Sequence, residues 1–319
     1  MRLKKGESLS WKSGIPIGRL TRGITDHLAL CGYTMTRQLI FVDDPEDPRL
    51  SRFRLREREL RPRHIPSRVF KSMQMGEVEK ITLGMFVAEG DLVVERALAA
   101  GCVMVEALTD ATTPTAVVEN IDPAVPVYAA TPEVRKTLTG LGVALDIIAL
   151  FERPAPLTLD ELLSTAHHVL VVEDVDNPTN IGAIVRSAAA FGVDGLILDR
   201  NSADPLARRA LRVSMGTAFT MRYCRVDDAS SVLTQLRNAG CVVCGLTPRA
   251  DAIDIREIGN QLPNDARVAI VLGSERTGLS DAALDAVSHM VRIPMAPEID
   301  SLNVAAAAAV ACHALIRRY

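Results

Sequence analysis

Asn180, Gly182 and Arg186, spaced N-x-G-x-x-x-R, open the most chemically loaded stretch of this chain. Two further groups follow in order: Leu272-Gly273-Ser274-Glu275-Arg276-Thr277-Gly278, then Ile293-Pro294-Met295 continued by Ser301-Leu302-Asn303-Val304. Each joins backbone-exposing glycine or proline to polar side chains. Each also follows an apolar strand-like run, where open α/β sheets put their ligand crevice. Asn180 is placed to cap a helix starting near Ile181, turning the neighbouring amides toward a bound polar group. Arg186, in the second turn of an otherwise apolar helix, calls for a cleft or a carboxylate partner. Gly273 and Gly278 bracket a loop whose backbone can lie against a ligand, and Glu275 is an acid able to hold a cation, a hydroxyl or an arginine. Ser301 can cap the alanine-rich helix after it, which sets Ser301 and Asn303 at a helix N-terminus suited to an anionic or polar substrate group.

Other chemistries are disfavoured by the same residues. The glycine loop lacks the Gly-Lys-Ser/Thr end of a phosphate loop, and no G-x-G-x-x-G follows an early strand. Cys241-Val242-Val243-Cys244 has redox or metal-pair spacing, but in a strand residues three apart point to opposite faces, so buried structural thiols are expected. The six scattered cysteines of a chain this large need form no disulfides. No metal is required by any motif.

The elements that must position these loops alternate. Strand-like runs recur at residues 168–172, 195–198, 241–246, 268–272 and 290–293, with helical stretches at 181–191, 229–239 and 302–316. Continuous apolar strands alternating with helices imply a parallel sheet covered on both faces. Before it, strands at 85–88 and 103–108, a helix at 90–100 and further alternation to residue 138 read as a smaller α/β domain. The divisions expected are an N-terminal extension over 1–84, the small domain over 85–150, a proline-bearing linker over 151–166 and the main domain over 167–319.

With 319 residues and 48% apolar content, an ordinary globular protein is expected. The apolar stretch from Val304 to Leu315 is too short for a membrane span and reads as a buried helix. The basic start is followed by no signal-peptide core, so a cytoplasmic protein is expected. Net charge is only −3, but nine basic residues against two acids lie between Arg49 and Lys71. Arg54, Arg56, Arg58, Arg61 and Arg63 within it are candidate phosphate contacts, the alternative being a solvated charged arm.

Taken together the three groups resemble the sequence motifs of the SpoU (TrmH-like) branch of the SPOUT RNA methyltransferases, over about 150 residues from Val169 to Leu315. The resemblance implies S-adenosyl-L-methionine-dependent methylation of a ribose 2′-hydroxyl, in rRNA ahead of tRNA, by a deeply trefoil-knotted α/β domain that pairs as a homodimer. Arg186 would act on the hydroxyl, as base or as electrostatic stabiliser. Asn180 and Glu275 would position it, and Ser301 and Asn303 would fix the cofactor loop and substrate phosphate. The cofactor would lie against Leu246, Thr247, Leu272, Gly273, Gly278, Ile293, Pro294, Met295 and Leu302. Residues 86–95 resemble the start of an L30e-like substrate domain. The chain departs from the family at Pro297, where glycine is common, at Ala305, where serine is frequent, and at Asp146, where an RNA-contacting basic or amide residue often stands. A non-catalytic RNA-binding or ribosome-assembly paralogue is the alternative that Pro297 and Asp146 suggest.

Overall fold

The computed structural model describes residues 37–61, 84–139, 144–299 and 301–316. Chain order in the first half is β1 (Ile40–Phe41), a 3-10 helix (Pro48–Arg54), α1 (Glu57–Leu60), β2 (Met85–Glu89), α2 (Asp91–Ala99), β3 (Met104–Asp110), β4 (Val127–Ala130), α3 (Pro132–Thr139) and β5 (Ile147–Glu152). These strands form a mixed sheet in the order β1-β4-β3-β5-β2, antiparallel only where β5 meets β3 and β2. The extension therefore does more than lead into the domain. Val42, Leu50, Phe53 and Leu60 are buried against Val87, Leu108, Tyr128 and Leu150 of the sheet. These anchors come eight, three and seven residues apart, with charges and prolines between, so no sustained helical or strand period announces them. Phe151 and Glu152, expected at the start of the linker, are the end of β5.

The second half runs α4 (Leu159–Leu163), β6 (His168–Val172), α5 (Pro178–Phe191), β7 (Gly195–Leu198), α6 (Arg208–Val213), β8 (Arg222–Arg225), α7 (Ala229–Asn238), β9 (Cys241–Leu246), β10 (Ile253–Asp254), α8 (Ile255–Gln261), β11 (Arg267–Leu272), α9 (Asp281–Ala286), β12 (His289–Arg292) and α10 (Val304–Leu315). All seven strands are parallel, in the order β10-β12-β9-β11-β6-β7-β8. The five strands read from apolar runs are all present, within a residue of their expected ends. β8 was missed because its Arg-Tyr-Cys-Arg carries charge at both ends of a sheet-edge strand. From β6 the chain moves outward to β8 on one side, then returns to build β9 beyond the slot that β11 fills. Strand order thus reverses beside β6, and the crevice of a doubly wound sheet lies at the carboxyl ends there.

Cys241 and Cys244 are both buried and fall in different core clusters, on opposite faces of β9 as strand geometry requires. Burial pushes the Cys244 thiol up to about 12. α10 is buried along Val304, Ala305, Ala308, Ala311, Cys312 and Leu315. Val310 is 40% exposed, so the expectation of a wholly buried helix gives way to a two-faced one.

The two halves share one apolar core. Phe86 stacks on Phe151 at 5.2 Å and meets Phe219 at 5.5 Å. Polar ties flank the rings. Arg153 donates to Asp204 Oδ2 at 2.5 Å and to the Met85 carbonyl at 3.0 Å, and Arg208 Nε donates to the buried Glu89 at 3.0 Å.

Candidate active site at the carboxyl edge of the parallel sheet

Helix α5 starts three residues earlier than the sequence reading set it. Asn177, not Asn180, is the N-cap: its side chain accepts from the Thr179 amide at 2.9 Å, and Pro178 takes the first helical position. Asn-Pro is the signal that could have revealed this. Asn180 is freed for another task and is buried in the first turn. Its Nδ2 donates to Glu275 Oε1, and its Oδ1 accepts from Asn303 Nδ2 at 3.1 Å. Asn303, not Ser301, caps α10, its Oδ1 accepting from the amides of Ala305 at 2.9 Å and Ala306 at 3.3 Å. Ser301 is exposed at the loop end.

This chain of contacts fixes its own polarity. The cap demands that Asn303 turn its oxygen to the helix, so its amide nitrogen faces Asn180. Asn180 must then offer oxygen to Asn303 and nitrogen to residue 275, where only an acceptor fits. Ionised Glu275 is acceptor-only. The three motif loops are thereby joined by two side-chain hydrogen bonds. Asn180→Asp would set a carboxylate against Glu275 at almost unchanged shape. The expected result is a loss of about 2 kcal/mol in stability, as for an unsatisfied buried polar pair, read as a lowered urea midpoint that partly recovers in Asn180→Asp with Glu275→Gln. An unchanged midpoint in the single variant would refute the polarity.

The second loop is a closed turn rather than a pliant one. Ser274 and Gly278 exchange backbone hydrogen bonds at 3.1 and 2.9 Å, and Gly278 has φ +69°. A Cβ on Gly273 would overlap the Gly278 carbonyl carbon and the Leu279 nitrogen, and lie 2.5 Å from the Gly278 oxygen. Glu173, which the sequence reading passed over, anchors the loop's far end by accepting from the Ser280 amide at 2.9 Å and hydroxyl at 2.7 Å. Ser280 in turn caps α9.

β12, β9 and β11 are neighbours, with Leu246 opposite Val291 and Gly245 opposite Val271. That register brings Leu246 and Thr247, Leu272 and Gly273, and Ile293, Pro294 and Met295 to one edge of three adjacent strands. The Thr247 amide donates to the Val291 carbonyl at 3.0 Å. Beyond Met295, the Ile299 amide donates to the Ala296 carbonyl at 3.0 Å. Pro297 stands second in that turn, where its fixed φ is an advantage, so the departure at this position is compatible with the loop. Leu302 is 41% exposed beside it.

Arg186 does not join this cluster. It is exposed, about 9 Å along the α5 axis from Asn180 and roughly 120° around it. It lines a groove against α2 of the small domain. Arg186 thus stands apart from its own chain's strand ends and faces a groove, one of the two settings its sequence context called for. Ile181, Ile184, Val185 and Ala188 are the buried stripe of α5. Their i, i+3, i+4, i+7 spacing already turned position 186 outward. Gly182 lies against α6, where a Cβ would sit 2.5 Å from the Ala210 carbonyl oxygen, so this motif glycine serves close helix packing.

Of the arginines in the basic segment, Arg54 donates to the Pro45 carbonyl at 2.8 Å and pairs with Glu46 at 2.7 Å. Arg61 lies 4.0 Å from Asp204. Arg56 precedes α1 and, like Arg58, is exposed. Arg63 lies outside the described residues. Among the described residues no group of His, Cys, Asp and Glu could hold a metal ion, and no helix is long and apolar enough to cross a membrane.

A parallel α/β domain with three hydrogen-bonded loops over its carboxyl edge defines the class. Residues 167–313 match the SpoU rRNA Methylase family. The chain is 34% identical over 272 residues to a Mycobacterium tuberculosis protein named as an uncharacterized tRNA/rRNA methyltransferase, covering 85% of this chain and 89% of that one. A solved RNA 2′-O ribose methyltransferase is 26% identical with a TM-score of 0.63, over 86% of this chain and 98% of that one. An AdoMet-bound rRNA methyltransferase from Sinorhizobium meliloti shares the fold at 22% identity and TM-score 0.67, over 87% and 97% of the two chains. The chain belongs to the SpoU family of RNA methyltransferases.

Proposed function

We propose that this protein transfers the methyl group of S-adenosyl-L-methionine to a ribose 2′-hydroxyl of RNA, with rRNA the first target class and tRNA the second. The observation that carries this reading is the Glu275–Asn180–Asn303 chain, which locks the three loops together over the edge where Leu246, Leu272 and Ile293 converge. The residues present fit the cofactor. Gly273 lets the Ser274–Gly278 turn fold tightly against the end of β11, where a Cβ would overlap the turn's own backbone, and apolar Leu246, Leu272, Ile293, Met295 and Leu302 beside exposed backbone suit an adenosine. When bound, the cofactor supplies a methyl on a sulfonium, already activated for attack.

The protein then has to hold the ribose oxygen in line and stabilise charge as its proton leaves. A guanidinium stays protonated under ordinary conditions. Arg186 therefore acts chiefly by holding the RNA phosphate and the developing oxyanion. Asn303 and Ser301 steady the cofactor loop, while Asn180 and Glu275 keep that loop in register with α5.

Arg186 reaches the chemistry across a dimer. α10 packs on α5, and three exposed apolar side chains, Ile299, Leu302 and Val310, cluster on α10 and the loop before it. A second copy docked on this surface would cover them and bring one protomer's Arg186 to its partner's cofactor edge. The family's trefoil knot belongs to the same reading, threaded by the loops around β11 and the segment entering α10. The L30e-like reading of residues 85–150 gives the small domain an RNA-gripping task, with Arg56 and Arg58 as its most accessible cations.

Incubation with methyl-tritiated S-adenosyl-L-methionine and total RNA from a strain lacking the gene tests the proposal. Label in alkali-resistant dinucleotides is expected. Label confined to bases, or cofactor binding with no transfer to any RNA, would sink it.

A further inference from the structure

The groove that Arg186 lines belongs to neither domain alone. Its walls are α2 of the small domain, α5 of the large one, and the turn after α6, and it encloses about 680 Å³. That falls within the roughly 300–1,000 Å³ of ordinary ligand clefts. Arg96 and Arg186 line it, together with Leu92, Met215, Ala190 and Thr220, and no acidic side chain does. Leu92 and Met215, 39% and 38% exposed, are two of the few large apolar side chains left open to solvent among the described residues.

The groove is also built with some strain. Met215 takes φ +54°, a left-handed conformation that a non-glycine residue adopts only when its surroundings enforce it. Arg96 Nη1 donates to the Met215 carbonyl at 2.5 Å, and a Cβ on the following Gly216, at φ +77°, would come within 3.3 Å of the Arg96 side chain. The outcome is an apolar knob pushed into the cleft beside an arginine fixed at one nitrogen, its Nε and Nη2 still available to an anion.

We propose that this groove seats a single-stranded RNA segment adjoining the methylated nucleotide, its phosphate against Arg96 and Arg186 and its base against Leu92 and Met215. The inference rests on RNA methyl transfer as the activity. Guanidinium groups that can hold a phosphate, set beside apolar surface that can cover a base, are the chemistry that binds single strands. A second copy of the chain is disfavoured, because a two-fold contact centred here would bring like charges together. Arg186 is itself a wall of the groove, so RNA lying in it brings a ribose close to that guanidinium.

The test uses the full-length protein, a fluorescein-labelled 12-nucleotide oligouridine and total RNA as methyl acceptor. Arg96→Ala is expected to weaken oligonucleotide binding about tenfold at low salt and to reduce the slope of log affinity against log salt by about one. Leu92→Ser, which leaves the Arg96–Met215 bond untouched, is expected to weaken binding about fivefold, as for the loss of a partly buried apolar contact. In both variants KM for RNA should rise, while kcat at saturating RNA and S-adenosyl-L-methionine affinity stay as in the wild type. Unchanged oligonucleotide affinity in both variants overturns the proposal. So does an altered sedimentation coefficient with RNA affinity intact, which would mark a protein contact. If the wild type transfers no methyl yet Arg96→Ala still weakens RNA binding, the activity fails and the groove stands.

Discussion

Gly273→Ala is expected to reduce S-adenosyl-L-methionine affinity by more than about 100-fold, some 2.7 kcal/mol, and to abolish methyl transfer. The added methyl meets backbone atoms of Gly278 and Leu279, with the Gly278 oxygen at 2.5 Å. No rotamer change relieves such an overlap, so the Ser274–Gly278 turn must open or the end of β11 must move. Either shift displaces the strand end beside Leu246. Gly278→Ala is the graded control. Nothing lies within 4 Å of its Cβ, and only the cost of φ +69° applies, about 1–2 kcal/mol. Calorimetric titration on variants shown to be folded by circular dichroism separates the two. Wild-type affinity in Gly273→Ala would remove this edge as the cofactor site.

Arg186→Ala is expected to lower kcat by about 10²–10³-fold, the usual cost of one preorganised charge-stabilising donor, with cofactor affinity unchanged because the side chain lies away from its own strand ends. The trans arrangement makes a sharper claim. Neither Arg186→Ala nor Gly273→Ala homodimers should turn over. After unfolding and refolding as an equal mixture, half the dimers pair one of each, and one of the two sites in those dimers has an intact cradle facing an intact arginine. About a quarter of wild-type activity should return on random pairing. If the arginine served its own chain's site, the mixture would stay inactive.

The large sheet was legible because its strands are buried on both faces and so are written as unbroken apolar runs such as His168–Val172 and Arg267–Leu272. The motif loops were legible because glycine, proline and amide residues cluster there against that background. What escaped was orientation. The extra turn begun by Asn177-Pro178 moved Asn180 from cap to interior, and Asn303 took the capping place offered to Ser301. The caps themselves are local, and Asn-Pro signalled the first, but the contacts that then engage Asn180 and Asn303 reach partners more than 90 residues away, which local propensity does not encode. The extension was opaque for a different reason. Leu50, Phe53 and Leu60 gain their meaning only from the sheet face they cover. Arg186 was expected to face a cleft and lines the groove against α2, and the phase of the buried stripe on its helix is what turns it there.

Interfaces between domains ordinarily allow one to swing against the other unless the contact is large and apolar. Here Phe86, Phe151 and Phe219 lie in a continuous core, with the Arg153–Asp204 and Arg208–Glu89 bonds closing over it. The small domain and the carboxyl edge of the large sheet are therefore held at one spacing, set during folding. On the proposed activity such a molecule works as a calliper, and selection passes to those RNAs whose own shape already matches the gap.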